Sequence, residues 1–232
     1  MSTLNPTRKV SRRQELREDK VVTFYARVLD VFENNRQAVI GAGAAVLAVI
    51  LLIMGWNWYQ GNRNDQALSE MAEAVRLYEA GSYQAALDGD ASFLGLMDVV
   101  DSYGGTASGN LARFYAADAL FRTGDFEAAL ELFESYSKGN DYIGASAFAG
   151  EAAIHELQGN HERAGDLYMR AANVYSSEIT SPMYLSNAAR AYMSADETND
   201  AVDALEMIEE DYPDSQAARS VEYKLAMLQA GS

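Results

Sequence analysis

The sequence predicts an all-α protein: an N-terminal cytoplasmic helix, one transmembrane helix and an extracytoplasmic solenoid of helical repeats. Three observations carry this reading. An uninterrupted apolar run covers Ala38 to Trp58, the charges divide unequally about it, and helix-turn-helix units recur at a period near 35 residues beyond it. The chain has 232 residues, enough for one sizeable core with appendages and too few for two large domains. It contains no cysteine, which excludes a disulfide framework, a zinc ribbon, a cysteine nucleophile and an iron–sulfur site. With 18 basic against 34 acidic residues and a net charge of -16, nucleic acid is not expected as a partner, because phosphate backbones are held by Lys and Arg.

Residues 1–37 form the first predicted segment, a basic arm. Ser11 and Gln14 stand at capping-box spacing, and apolar residues then recur at Leu16, Val21, Phe24, Tyr25, Val28, Leu29 and Phe32, one face of a helix. With Arg12, Arg13, Arg17, Lys20 and Arg27 on its other faces, such a helix suits the surface of an anionic leaflet. Glu15, Glu18, Asp19, Asp30 and Glu33 dilute the basic field, so pairing with a cytoplasmic partner is equally consistent.

Residues 38–59 are the predicted span. Between Gln37 and Asn62 no residue is charged at neutral pH, and twenty-one helical residues at 1.5 Å each cross about 30 Å of hydrocarbon. Trp56, Trp58 and Tyr59 gather at one end, where amphipathic rings favour the lipid–water interface, and Arg36 stands at the other. A buried core helix of this length would break its apolar run with charges on an exposed side. A cleaved signal sequence would have a shorter apolar core nearer the start and a small-x-small cleavage site, and this run begins after 37 residues and ends in bulky rings. Eight bases stand against five acids before Ala38, and ten against 29 from Arg63 onward. By the positive-inside rule the arm is expected in the cytoplasm and the acidic bulk outside it, which in a bacterium with two membranes is the periplasm.

Residues 60–232 are the predicted repeat domain. From Asp65 only Pro182 and Pro213 occur, and alanine recurs at three- and four-residue spacing. Gly124-Asp125-Phe126 leads into Ala129 and Phe133, and 35 residues later Gly159-Asn160-His161 leads into Ala164, Tyr168 and Ala171. An earlier copy starts at Gly81-Ser82-Tyr83 before Ala86; a later one runs from Asn199-Asp200 through Ala201, Leu205 and Ile208 to Pro213. The units are expected at about 67–105, 110–143, 145–178 and 182–215. The first is irregular, with Asp88-Gly89-Asp90 followed by an inserted helix near Phe93 to Tyr103, and the last turn, Ser194 to Asn199, lacks a glycine. A capping helix over 216–230, with Val221, Tyr223, Leu225, Ala226 and Leu228, is expected to cover the final unit.

These residues resemble the tetratricopeptide repeat. Ala117, Gly124, Phe126, Ala129 and Phe133 fit its pattern in one unit, Ala152, Gly159, Ala164, Tyr168 and Ala171 in the next, and Ala189, Ala201 and Pro213 in the third. The order of basic arm, single span and acidic repeats also resembles bacterial single-pass tetratricopeptide membrane proteins, including the YfgM-type ancillary subunits of the Sec translocon. The resemblance implies a right-handed solenoid with a concave face, and a membrane-anchored scaffold meeting protein or peptide partners in the envelope, beside the translocon or other machinery. Its groove is formed by fixed positions of each first helix. By register these are Leu111, Phe114, Asp118, Phe121 and Arg122 in one unit, Ser146, Ala149, Ala153, Glu156 and Leu157 in the next, and Met183, Ser186, Arg190, Met193 and Ser194 in the third. Leu68, Met71, Val75 and Tyr78 extend the face. The Lys and Asn set that clamps a terminal carboxylate in some members is missing, whereas Phe114, Phe121, Met183 and Met193 suggest adaptable apolar contacts.

Chemistry has little foothold in the sequence. His155 and His161 are the only histidines and are separated by a glycine turn, so no shared helical face is expected from them. Asp88 to Asp90 and Asp196 to Asp200 lack the twelve-residue calcium loop, Glu209-Glu210-Asp211 reads as a solvated helix end, and no phosphate-binding glycine loop or nucleophile elbow occurs. No enzyme activity and no cofactor are expected. The alternative function is structural self-assembly, since Gly41, Ala44, Ala45 and Ala48 make a small-residue stripe on the span that permits close helix contact. The acidic surface fits either attraction of basic partners or adaptation to salt.

Overall fold

The computed structural model describes residues 35–231. The arm expected over residues 1–37, including its amphipathic helix, therefore lies outside the described residues except at its last three positions. The chain divides into two compact units, residues 1–59 and 60–232. Ten α-helices and one two-stranded ladder occur among the described residues.

Helix α1, Arg36–Glu79, has 44 residues. Within the first unit its apolar side chains are solvent-facing, and none of its most apolar 18-residue window, of mean hydropathy 2.6, is buried. It is long and apolar enough to cross a membrane. The expected end of the span at residue 59 is not an end of the helix. The same element continues to Glu79, where it buries Ala67, Met71 and Ala74 as the first helix of the repeat domain.

In the second unit α2 (Tyr83–Asp88) ends at Gly89, and a short antiparallel ladder follows, β1 (Gly89–Asp90) with β2 (Phe93–Leu94). The inserted helix expected from about Phe93 starts only at α3, Leu96–Tyr103. The turn decides this: Asp90 Oδ1 accepts from Ser92 N at 2.7 Å and Oγ at 2.6 Å, fixing the reversal before a helix can begin. Three antiparallel pairs follow: α4 (Ala107–Thr123) with α5 (Phe126–Ser135), α6 (Tyr142–Leu157) with α7 (His161–Val174), and α8 (Thr180–Ser194) with α9 (Thr198–Asp211). A 3-10 turn, Ala218–Ser220, leads into α10, Val221–Gly231. From α2 onward each helix packs on the next in sequence, as a solenoid requires.

Local chemistry sets the boundaries. The side chains of Thr106, Asp125 and Asp141 cap α4, α5 and α6 by accepting from the amides of Gly109, Ala128 and Gly144. The turns between paired helices need a left-handed residue, supplied by Gly81, Gly124 and Gly159 at φ 78°, 91° and 80°. In the last pair, whose turn has no glycine, Asp196 takes that place at φ 61°.

The core interlocks small residues with large ones. Ala112, Ala116, Ala117, Ala129, Ala147, Ala152, Ala164 and Ala188 are fully buried, letting helices approach so that Phe133, Tyr168, Leu185 and Tyr192 fill the spaces between pairs. Two glycines carry this furthest. A Cβ on Gly150 would lie 2.5 Å from the Phe133 ring, and one on Gly165 would lie 2.5 Å from the ring of Tyr192. Val221 of α10 is buried against the last pair.

Candidate protein-binding surface

The first helices of the pairs, α4, α6 and α8, carry the residues expected to line a groove. In α4 most of them face inward or toward each other. Leu111, Phe114 and Phe121 are half-buried and pack on the core. Phe114 sits 5.7 Å from Tyr115, 6.2 Å from Phe133 and 5.9 Å from Tyr136 by ring centroids, and Phe121 meets Phe126 edge-on at 5.4 Å. Asp118 is half-buried and accepts from the Tyr78 hydroxyl and from Arg122 Nε. Arg122 in turn lies 5.3 Å from the Tyr83 ring centroid. Burial first, and then the Asp118 hydrogen bond, push the Tyr78 hydroxyl above its ordinary range, so it stays a donor to that carboxylate.

A second polar link joins α6 to α8. The Arg190 guanidinium forks onto Glu156, with Nη1 on Oε1 and Nη2 3.2 Å from Oε2. The Tyr168 hydroxyl donates to Glu156 Oε2 at 3.4 Å, and its pKa is pushed up to about 12 by burial and then by the Glu156 charge. A third link joins α8 to α10: Lys224 Nζ donates to Ser186 Oγ at 3.1 Å. Burial and the nearby Arg190 charge hold that ammonium below its ordinary value. Several polar residues of the face therefore bind neighbouring elements to one another. Among its apolar residues, Met193 is half-buried on the core, and Met183 is 49% exposed.

Met183 borders a cavity of about 570 Å³ lined by Ile179, Pro182, Met183, Asn187, Gln216 and Ala217 among others. Ile179 is 83% exposed at its rim. A cavity of this size, mixing Ile179, Pro182 and Met183 with amide, hydroxyl and carboxylate groups, suits one or two side chains of an extended peptide.

Sequence reasoning missed a charged centre between α5, α6 and α7. Glu151 is only 4% exposed, yet it lies 3.2 Å from Lys138 Nζ and 3.8 Å from Arg163 Nη2. Lys138 also donates to the Phe133 carbonyl, and Arg170 stacks over the Phe148 ring at 4.3 Å. The signal was available: Gly144, Ala147, Glu151 and Ile154 fall on one buried stripe of α6, and an acid on such a stripe requires cationic partners. Glu134, Glu151 and His155 offer ligand atoms within 4.8 Å of one another, so the i, i+4 pair on α6 does include a histidine. Any cation there competes with Lys138 and Arg163, which already neutralise Glu151. His155 Nδ1 is buried without a hydrogen-bond partner among the described residues. Asp88 ends α2 and Asp90 lies in β1; the acids at Asp196 to Asp200 belong to the α8–α9 turn and the start of α9.

In the first unit, Trp56, Trp58 and Tyr59 are 63%, 74% and 49% exposed, and Trp56 tilts against Tyr59 at 6.3 Å. Arg36 is exposed at the start of α1.

Comparison with known proteins gives these placements a frame. A family model described as a tetratricopeptide repeat-like domain matches residues 31–164, more than half of the chain, and a tetratricopeptide repeat model matches residues 185–215. Two crystal structures of nearly identical TPR-like repeats from a Podosopora anserina kinesin light chain, one of them a single-substitution variant of the other, superpose with TM-scores of 0.51. They are 18% and 19% identical to this chain, and each alignment covers 69% of this chain and 83% of the other. This likeness is one of fold. Among curated protein sequences none matches.

Proposed function

The chain belongs to the tetratricopeptide repeat-like family, and from that premise we propose that it is a membrane-anchored scaffold whose repeats hold protein partners at the bacterial envelope. Repeats of this family generally mediate protein–protein interactions, and the fold is typically a non-catalytic scaffold. The observation that carries the anchoring is the exposed apolar stretch of α1. Ile40, Val46, Leu47, Val49, Leu51, Leu52, Ile53 and Met54 are each between 54% and 73% exposed on one continuous helix. A patch of that size in water is an association site by itself, and its length matches a bilayer.

The charge division supports an orientation with the N-terminus in the cytoplasm and the repeats in the periplasm. Within that orientation, the resemblance to ancillary translocon subunits favours emerging or newly delivered chains as partners, met at the Met183 cavity. The competing reading is self-assembly through α1. That route would leave the repeat domain without a task.

The anchoring is tested in cells by alkaline extraction together with protease access. The full chain should stay with the membrane pellet in carbonate, and a protease added from the periplasmic side should digest the repeats while sparing an N-terminal tag. Release of the intact chain into the carbonate supernatant, or protection of the repeats with loss of the tag, would contradict it.

A further inference from the structure

A polar cavity of about 440 Å³ opens beside the start of the repeat domain, lined by Gln60, Arg63, Tyr103, Gly104, Thr106 and Arg113 among others. Its charge is unusual for this chain. From Arg63 onward acids outnumber bases by 29 to ten, yet this cavity presents two guanidinium groups and one acid, the exposed Asp101. Arg113 is half-buried and has no carboxylate within ion-pair distance among the described residues. Its one hydrogen bond to a side chain is from Nη1 to Asn110 Oδ1 at 3.2 Å, which leaves most of its donor fork for other use. Arg63 donates to the Ser102 carbonyl and lies 5.2 Å from the Tyr103 ring centroid.

The backbone is shaped to keep the space open. A Cβ on Gly104 would stand 2.7 Å from Arg113 Nη2, so any larger residue there would push the guanidinium aside. A Cβ on Gly105 would meet nothing within 4 Å, so the loop faces open space at that point. Thr106 Oγ1 and Asn64 Oδ1 already hold the amides of Gly109 and Ser108, so the anion affinity of the cavity rests on its arginines, with Arg113 the principal donor. Two guanidinium groups lining one polar opening suit the oxygens of a phosphate.

Position along the chain names the source. Gln60 and Arg63 follow Tyr59 by one and four residues in sequence, and Trp56, Trp58 and Tyr59 are the rings expected at the lipid–water interface. In sequence Arg63 stands only five residues beyond Trp58, so the first arginine of the cavity belongs to the stretch of chain that follows the interface rings. We propose that the Arg63–Arg113 cavity binds the phosphate of an anionic membrane phospholipid. This rests on the anchoring proposed above.

The test uses the full chain in a non-ionic detergent, titrated with dioctanoyl phosphatidylglycerol and, separately, with inorganic phosphate. Saturable lipid binding is expected, weakened at least tenfold by Arg113→Gln, weakened less by Arg113→Lys, and unchanged by Arg219→Gln on an exposed surface elsewhere. Inorganic phosphate should bind far more weakly than the lipid. Lipid binding that is indifferent to both Arg113 substitutions, or phosphate binding as tight as lipid binding, would overturn the assignment. Carbonate extraction of the same variants reads the anchor separately, so a chain that stays in the membrane without Arg113-dependent binding sinks this proposal and leaves the anchoring intact.

Discussion

Phe133→Ala will lower the stability of the repeat domain by about 3–5 kcal/mol, the range for truncating a fully buried aromatic side chain. Phe133 is 1% exposed and its ring fills the space left by Gly150 on α6 while meeting Phe114 on α4, so one side chain closes the joint between two repeat pairs. The alanine variant leaves a cavity that neither glycine nor ring can refill, because Gly150 has no side chain to move in. Urea unfolding of the full chain in detergent, followed by far-ultraviolet circular dichroism, measures the loss. A change below about 1 kcal/mol would mean that the pairs around Phe133 are not packed as described.

The second large effect is expected at Glu151. Glu151→Ala leaves Lys138, 12% exposed at its side chain, buried beside an uncompensated gap, and removing one partner of a buried pair costs about 3–5 kcal/mol. The double substitution Glu151→Leu with Lys138→Met removes both charges and should restore most of that loss, since a buried pair replaced by apolar residues of similar size is often neutral. Thermal melting of the two variants beside the wild type decides it. If the double variant melts as low as the single one, Glu151 contributes shape and not charge compensation.

Much of this fold was legible in the sequence because the repeat writes its packing in residue size. Ala117, Ala129, Ala152, Ala164 and Ala189 are small at fixed intervals since helices touch there, and the structure buries all five completely. The glycine turns were equally plain at Gly124 and Gly159. Where the left-handed position fell on Asp196, composition gave no such mark, because an aspartate in a turn has many other reasons to be there. The ladder at Gly89 to Leu94 was hidden for a similar reason: two residue pairs are too short for any alternation to show. The continuation of α1 to Glu79 was obscured by the change from apolar to charged sequence, which marks a change of surroundings and not of backbone.

The binding face was harder to read. Register placed its residues on the first helices, and it could not say which would turn inward. Phe114 and Phe121 were natural choices for an apolar groove, and both are engaged by neighbouring rings. Asp118 and Arg190 look like recognition groups in one dimension; in three they join one helix to the next, to Tyr78 and to Glu156. Glu151 was passed over because a single acid in a helix usually faces water. Among the apolar residues of the face, Leu68, Leu157 and Met183 stay largely exposed, and Met183 borders the cavity that has Ile179 at its rim.

The most direct test of the scaffold reading is in-cell photo-crosslinking from Met183 and Ile179, with the exposed Glu131 on α5 as the control position, followed by identification of the captured proteins. Capture of translocon components or of chains in transit from Met183 and Ile179, with little from Glu131, is the expected result. Equal yields from all three positions, or capture of none from any, would contradict a partner-binding role for this face.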